Sequence, residues 1–157
     1  MSRSIESSCA ESSFELVAFV YMPEHLHLLV YPKTREPKIG RFLARLKQPF
    51  SKEIKRILIN SRSSLLDKLT VRERPGQHCF RFWQEGPGFD RNIYSPKALQ
   101  ASVDYIHDNP SKRGLCNRAV DWKWSSARYY LLEPPTQQFE AFPFVHGVPL
   151  GAFDKRQ

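Results

Sequence analysis

Two histidines, His25 and His27, stand two residues apart in the most apolar stretch of the chain, FELVAFVYMPEHLHLLV at 14–30. Its Val, Phe and Tyr content and its central Pro23-Glu24 predict two buried strands joined tightly, at roughly 14–22 and 25–31. Alternation along the second strand puts both imidazoles on one face and Leu26 and Leu28 on the other. At the backbone the two rings start about 6–7 Å apart, close enough to converge on one cation. A histidine pair can equally fill a sheet face and find its partners in backbone and water. Glu24 adds a carboxylate nearby, but alternation places it off the histidine face unless the turn re-aims it.

A second candidate lies on a helix. Ser95-Pro96 predicts a helix start, with Ser95 as N-cap and Pro96 at the first helical position, and Pro110 is expected to stop the helix at about Asn109. At 100° per residue Leu99, Val103 and Ile106 make one apolar stripe that should face the sheet. Tyr105 lies more than about 100° from the centre of that stripe, among Ala98, Ala101 and Asn109. A large aromatic ringed by small residues can present its hydroxyl to a ligand, or it can sit at a boundary and simply wet that hydroxyl. Asn109, one turn on, points the same way and could complete a metal site. His107 falls on the opposite face and reads as structural.

Charge points to the partner. Twenty-four Lys and Arg against sixteen Asp and Glu give a formal net charge of +8 and a pI near 9.6, a balance that favours a polyanion. From Lys38 to Ile59 apolar residues recur at helical spacing, with Pro49 expected to break or kink the helix. Lys38, Arg41, Arg45, Lys47, Lys52, Lys55 and Arg56 lie there against one acid, Glu53; the run is either a solvated face or, where the polyanion is DNA, the candidate DNA-binding residues. Trp83, Trp122 and Trp124 lie near strand ends, where aromatics more often belong to a core, although with a single-stranded partner they would be candidates to stack unpaired bases.

The 157 residues suffice for one ordinary domain. Residues 1–13 read as a flexible leader, 14–132 as the domain, and 133–157 as a loosely packed C-terminal extension. Residues 60–76 read as loop, 77–84 as a third strand, and Trp122-Lys-Trp-Ser-Ser as the beginning of a last short helix carrying Tyr129, Tyr130 and Leu131. Three scattered cysteines, Cys9, Cys79 and Cys116, argue against a disulfide framework and a zinc ribbon. No apolar run approaches the ~20 residues of a membrane span, and the serine-rich start has no secretory pattern, so a cytoplasmic location is expected.

MPEHLHLLV at 22–30 resembles the His-hydrophobic-His motif of the single-tyrosine HUH transposases, the IS200-like group. The likeness continues in FWQEGPGFDRNI at 82–93, DYIHDNPSKRGL at 104–115 and DWKWSSARYY at 121–130. Together these blocks resemble the REP-associated tyrosine transposases within that group. The resemblance implies an α+β fold, ferredoxin-like or RRM-like, with an antiparallel sheet flanked by helices. Only thirteen polar residues precede Phe14, so the first strand and helix of the group are expected to be missing and the sheet to have an open edge. It also implies a DNA transposase, a single-strand endonuclease that cleaves and rejoins single-stranded or hairpin DNA through a 5′-phosphotyrosine. Tyr105 would be the nucleophile; His25, His27 and Asn109 would hold a divalent metal, Mg²⁺ or Mn²⁺. The protein would act as a monomer or homodimer, without a membrane. The competing reading is a catalytically inactive, truncated or domesticated DNA-binding protein of the same fold.

Overall fold

The computed structural model describes residues 1–85, 88–133 and 141–153. Its centre is an antiparallel hairpin of β1 (Phe14–Tyr21) and β2 (Leu26–Pro32), paired from Phe14↔Pro32 to Tyr21↔Leu26 with a bulge between Leu16 and Ala18. Each strand face is covered by helix. On one side α1 (Ser2–Ser12) and α2 (Ile39–Asn60) bury Ile5, Cys9, Phe42 and Leu46 against Phe14, Leu16 and Phe19. On the other, α4 (Pro96–Lys112) packs Val103 and Ile106 against Ala18, Val20 and Met22. The short α3 (Leu65–Lys68), a second hairpin of β3 (Thr70–Arg74) and β4 (Gln77–Phe80), and α5 (Ala127–Leu131) complete the order. The α+β expectation therefore holds.

Several elements differ from the sequence expectation. Residues 1–13 are not a flexible leader. Residues 2–12 form α1, whose Ile5 is fully buried and whose Glu11 carboxylate accepts a hydrogen bond from Arg45 of α2. Serine lowers helix propensity, but burying one isoleucine stabilises by about 1.5–3 kcal/mol and offsets that deficit. The C-terminal segment is not loose where it is described: Val145 is buried in the same cluster, and the His146 N–H donates to the Leu16 carbonyl at 2.9 Å. The rest of that expectation, at 134–140 and 154–157, lies outside the described residues.

The β1 edge is not open either. His146 meets it near one end, while Ser126 N–H donates to Phe19 O at 3.0 Å and Tyr21 N–H to Trp124 O at 2.8 Å. The loop expected at 60–76 contains α3 and β3, because β3 is polar along most of its length and carries no burial pattern to read. Pro49 sits inside an unbroken α2, exposed, where water can take the carbonyl it strands. Pro110 likewise lies within α4, and the chain turns out of the helix only after Arg113, through Gly114 at φ 69°.

Candidate active site

The turn from β1 to β2 decides where the histidines stand. Met22 N–H donates to the His25 carbonyl at 2.9 Å, closing Met22–His25 into a tight connection. His25 therefore precedes β2 instead of lying within it, while His27 pairs with Val20 and shares its face, the one that meets α4. The two imidazoles meet edge to face, with centroids 4.7 Å apart and planes at 81°. Burial, and then the neighbouring His25, push the His27 imidazole toward its neutral form, the one that can ligate a metal.

From the opposite side α4 brings two groups to His27. The Tyr105 ring stands 5.4 Å from the His27 ring at 78°, and Asn109 Nδ2 lies 3.3 Å from His27 Nε2. Ser95 caps this helix, its hydroxyl accepting from Ala98 N–H at 3.2 Å, and Val103 and Ile106 seat it on the sheet. Tyr105 thus lies at the rim, 52% exposed, while Asn109 is buried at 7%. Leu99, the third residue of the expected stripe, is half-buried. His107 points the other way, buried, and bonds Ser126 Oγ at 2.8 Å, in keeping with a structural role.

Asn109 Oδ1 has no hydrogen-bond partner among the described residues, although it is buried. Such a group normally finds one. An amide oxygen and an imidazole nitrogen are both electron-pair donors, so a divalent cation between them would satisfy both. Among the described residues no three His, Cys, Asp or Glu side chains cluster as ligands, and the Asn109 amide is the further polar group that stands against His27. The donor set of His25, His27 and Asn109 fits a divalent metal.

Sequence reasoning missed Arg113, and for Glu24 the turn does re-aim the side chain. The turn swings Glu24 Oε1 to 3.7 Å from His25 Nδ1, and the Arg113 guanidinium, at the end of α4, donates to the same oxygen. That bond holds the Glu24 carboxyl below its ordinary range. Pro23-Glu24 before a histidine was the available signal, because a proline in a turn breaks strand alternation.

No protein-family model matches the chain. A protein of Haemophilus influenzae named for the REP-associated tyrosine transposases is 29% identical over 121 residues, which cover 77% of this chain and 63% of the relative. This chain resembles the REP-associated tyrosine transposases. The solved structure of a REP-associated tyrosine transposase bound to a REP hairpin superposes with a TM-score of 0.58 at 19% identity, over 91% of this chain and 77% of that one, and so shares its fold. The chain spans 63% of the length of the Haemophilus protein.

Within that transposase-like fold the basic helix α2 packs on the sheet face opposite Tyr105. At 100° per residue Lys38, Arg41, Arg45, Lys52 and Arg56 share about 60° of its circumference. Two of them are engaged: Arg45 with Glu11, and Arg56 with Glu53 at 2.6 Å. Lys38, Arg41 and Lys52 are exposed and make no ion pair among the described residues. Lys47 and Lys55 stand off that stripe, 5.9 Å above the rings of Trp83 and Phe80 respectively. Trp83 is half-buried, donating from Nε1 to Lys47 O at 3.1 Å, and Trp122 donates to Tyr21 O at 2.9 Å. Trp124 stays 41% exposed. No helix among the described residues is long and apolar enough to cross a membrane.

Proposed function

We propose that this protein is a metal-dependent, tyrosine-nucleophile DNA endonuclease and strand transferase acting on single-stranded or hairpin DNA. One observation carries the reading: an exposed Tyr105 hydroxyl-bearing ring, His27, His25 and the unpartnered Asn109 oxygen meet at one place on the sheet surface. The likeness to REP-associated tyrosine transposases supports a hairpin as the DNA, since the neighbouring solved structure holds one.

A phosphodiester is a poor electrophile, and a divalent ion held by His25, His27 and Asn109 would supply withdrawal of charge from its non-bridging oxygens. The two imidazoles and one amide suit Mn²⁺ at least as well as Mg²⁺, which prefers more oxygen. His27 does two things: it offers a neutral ring nitrogen to the site, and its ring packs edge to face with the Tyr105 ring at the rim. The Tyr105 hydroxyl gives its proton to water, its oxygen attacks phosphorus, the bond to the 3′-oxygen breaks, and that oxygen takes a proton from water and leaves as a free 3′-OH. The 5′-phosphate stays on Tyr105, and the reverse attack by a 3′-OH rejoins strands. Lys38, Arg41 and Lys52 supply exposed charge for a strand that wraps past the sheet edge onto α2.

The test is a hairpin oligonucleotide labelled at its 3′ end, incubated with the protein and Mn²⁺ and then denatured. A labelled protein–DNA species should form, and Tyr105→Phe should abolish it while hairpin affinity changes by less than about tenfold, or ~1.4 kcal/mol. An undiminished adduct in Tyr105→Phe would reject Tyr105 in favour of Tyr94 or Tyr129. Hairpin binding with no adduct from the unaltered protein would leave it a DNA-binding protein of this fold.

A further inference from the structure

We infer that Glu24, tethered by Arg113, is a positioning residue that sets the tautomer and orientation of His25. This rests on the proposed metal centre and assigns a role to two residues that stand outside its ligand set. Histidines that bind metals need their second ring nitrogen anchored, because the partner of that N–H decides which nitrogen is left as the donor. His25 has a carboxylate beside its Nδ1, at ion-pair and not hydrogen-bond distance. Its Nδ1 faces Glu24 Oε1 at 3.7 Å, within ion-pair range, while no hydrogen bond engages its Nε2 among the described residues. A carboxylate on the Nδ1 side favours the proton there and leaves Nε2 as the lone-pair donor.

Glu24 would be a poor anchor alone, since it stands half-exposed on a turn. Arg113 supplies the restraint. Its guanidinium donates to the same Glu24 oxygen that faces His25, and its backbone N–H donates to the Asn109 carbonyl at 3.2 Å. One arginine therefore ties the turn carrying His25 to the helical turn carrying Asn109. Those two segments are otherwise 84 residues apart in the chain, as the numbers of His25 and Asn109 show. The position of Arg113 depends on α4 continuing through Pro110 before Gly114 turns the chain. Pairing with Arg113 also compensates the charge of the carboxylate.

The experiment reads the full chain in two ways. Long-range ¹H–¹⁵N correlation spectra of the metal-free protein, taken above the usual imidazole range at about pH 8, report which His25 nitrogen is protonated. Titration with Mn²⁺ alone gives its affinity. The unaltered protein should show His25 protonated on Nδ1; Glu24→Ala should shift the proton toward Nε2 and weaken Mn²⁺ binding by about tenfold. Arg113→Ala should move both readings the same way by less, and Glu24→Asp should restore part of each. An unchanged tautomer in Glu24→Ala overturns the inference, as does an unchanged Mn²⁺ affinity. So does loss of Mn²⁺ binding as complete as in His27→Ala with the tautomer intact, because Glu24 would then be a ligand. Failure of the metal centre reads differently: His25→Ala would leave Mn²⁺ binding as it was, overturning the proposed site and this role with it.

Discussion

Ser126→Ala should be among the most damaging one-atom changes in the protein, although Ser126 touches neither histidine of the candidate site. Its hydroxyl oxygen accepts from Phe19 N–H at 2.9 Å and lies 2.8 Å from His107 Nε2, while its own backbone N–H donates to Phe19 O. It thereby fastens α4, through His107, to the outer edge of β1. Phe19, His107 and Ser126 are all about 2% exposed, so water cannot replace what is lost. Removing the oxygen leaves the Phe19 N–H and the His107 nitrogen without partners, each at about 1–3 kcal/mol, so a loss of roughly 2–6 kcal/mol is expected. Against a typical total of about 5–15 kcal/mol, that is a large fraction. Urea unfolding followed by circular dichroism at neutral pH measures it, with the m-value unchanged. His107→Leu in the Ser126→Ala background should cost less than the sum of the two changes, because the second no longer breaks a bond. A loss under about 0.5 kcal/mol, or strict additivity, would refute the account of this junction.

Burial pushes the His107 imidazole down to about 4, so the unfolded chain, titrating near 6.5, binds the proton first. Stability should be full above pH ~6.5 and fall by about 3 kcal/mol as the pH drops toward 4; urea midpoints in His107→Gln should lack that slope. Burial likewise raises the Cys9 thiol to about 11, and a thiol-specific reagent at about pH 8 should label Cys79 and Cys116 well before Cys9. Arg41→Ala with Lys52→Ala should flatten the slope of log affinity against log salt by about 1.4 for single-stranded DNA, if both touch phosphate. Binding should weaken alike for all sequences, and an unchanged slope would move the strand off α2. His27→Ala should remove Mn²⁺-dependent adduct formation with little change in the urea midpoint; normal cleavage would make His27 a structural residue.

How much of this was legible beforehand depends on whether the signal was local. The β1–β2 pair follows from a short apolar run broken by Pro23-Glu24, and the start of α4 from Ser95-Pro96, where one side chain caps one backbone group. The spacing of Val103, Tyr105, Ile106 and Asn109 already set Tyr105 apart from the core stripe, because 100° per residue needs no partner to compute. Ser2–Ser12 was illegible, since its two apolar anchors form a helix only when α2 and β1 are there to bury them. Pro110 misled for a related reason: a proline strands one carbonyl, but α4 is held past it by its packing on the sheet, and Gly114 provides the exit.

For the candidate site, the order of residues alone determined which groups are neighbours along the chain: His25 with His27 at the start of β2, and Tyr105 with Asn109 one helical turn later. Only the tertiary structure decided that the two pairs meet, through Val103 and Ile106 seating α4 on the face that carries His27. It also decided that Glu24 turns toward His25, because Arg113 reaches it from the far end of α4. Periodicity fixes the direction of a side chain relative to its own backbone. Contacts between segments 80 residues apart depend on how buried faces fit together, and no short window of sequence contains that information.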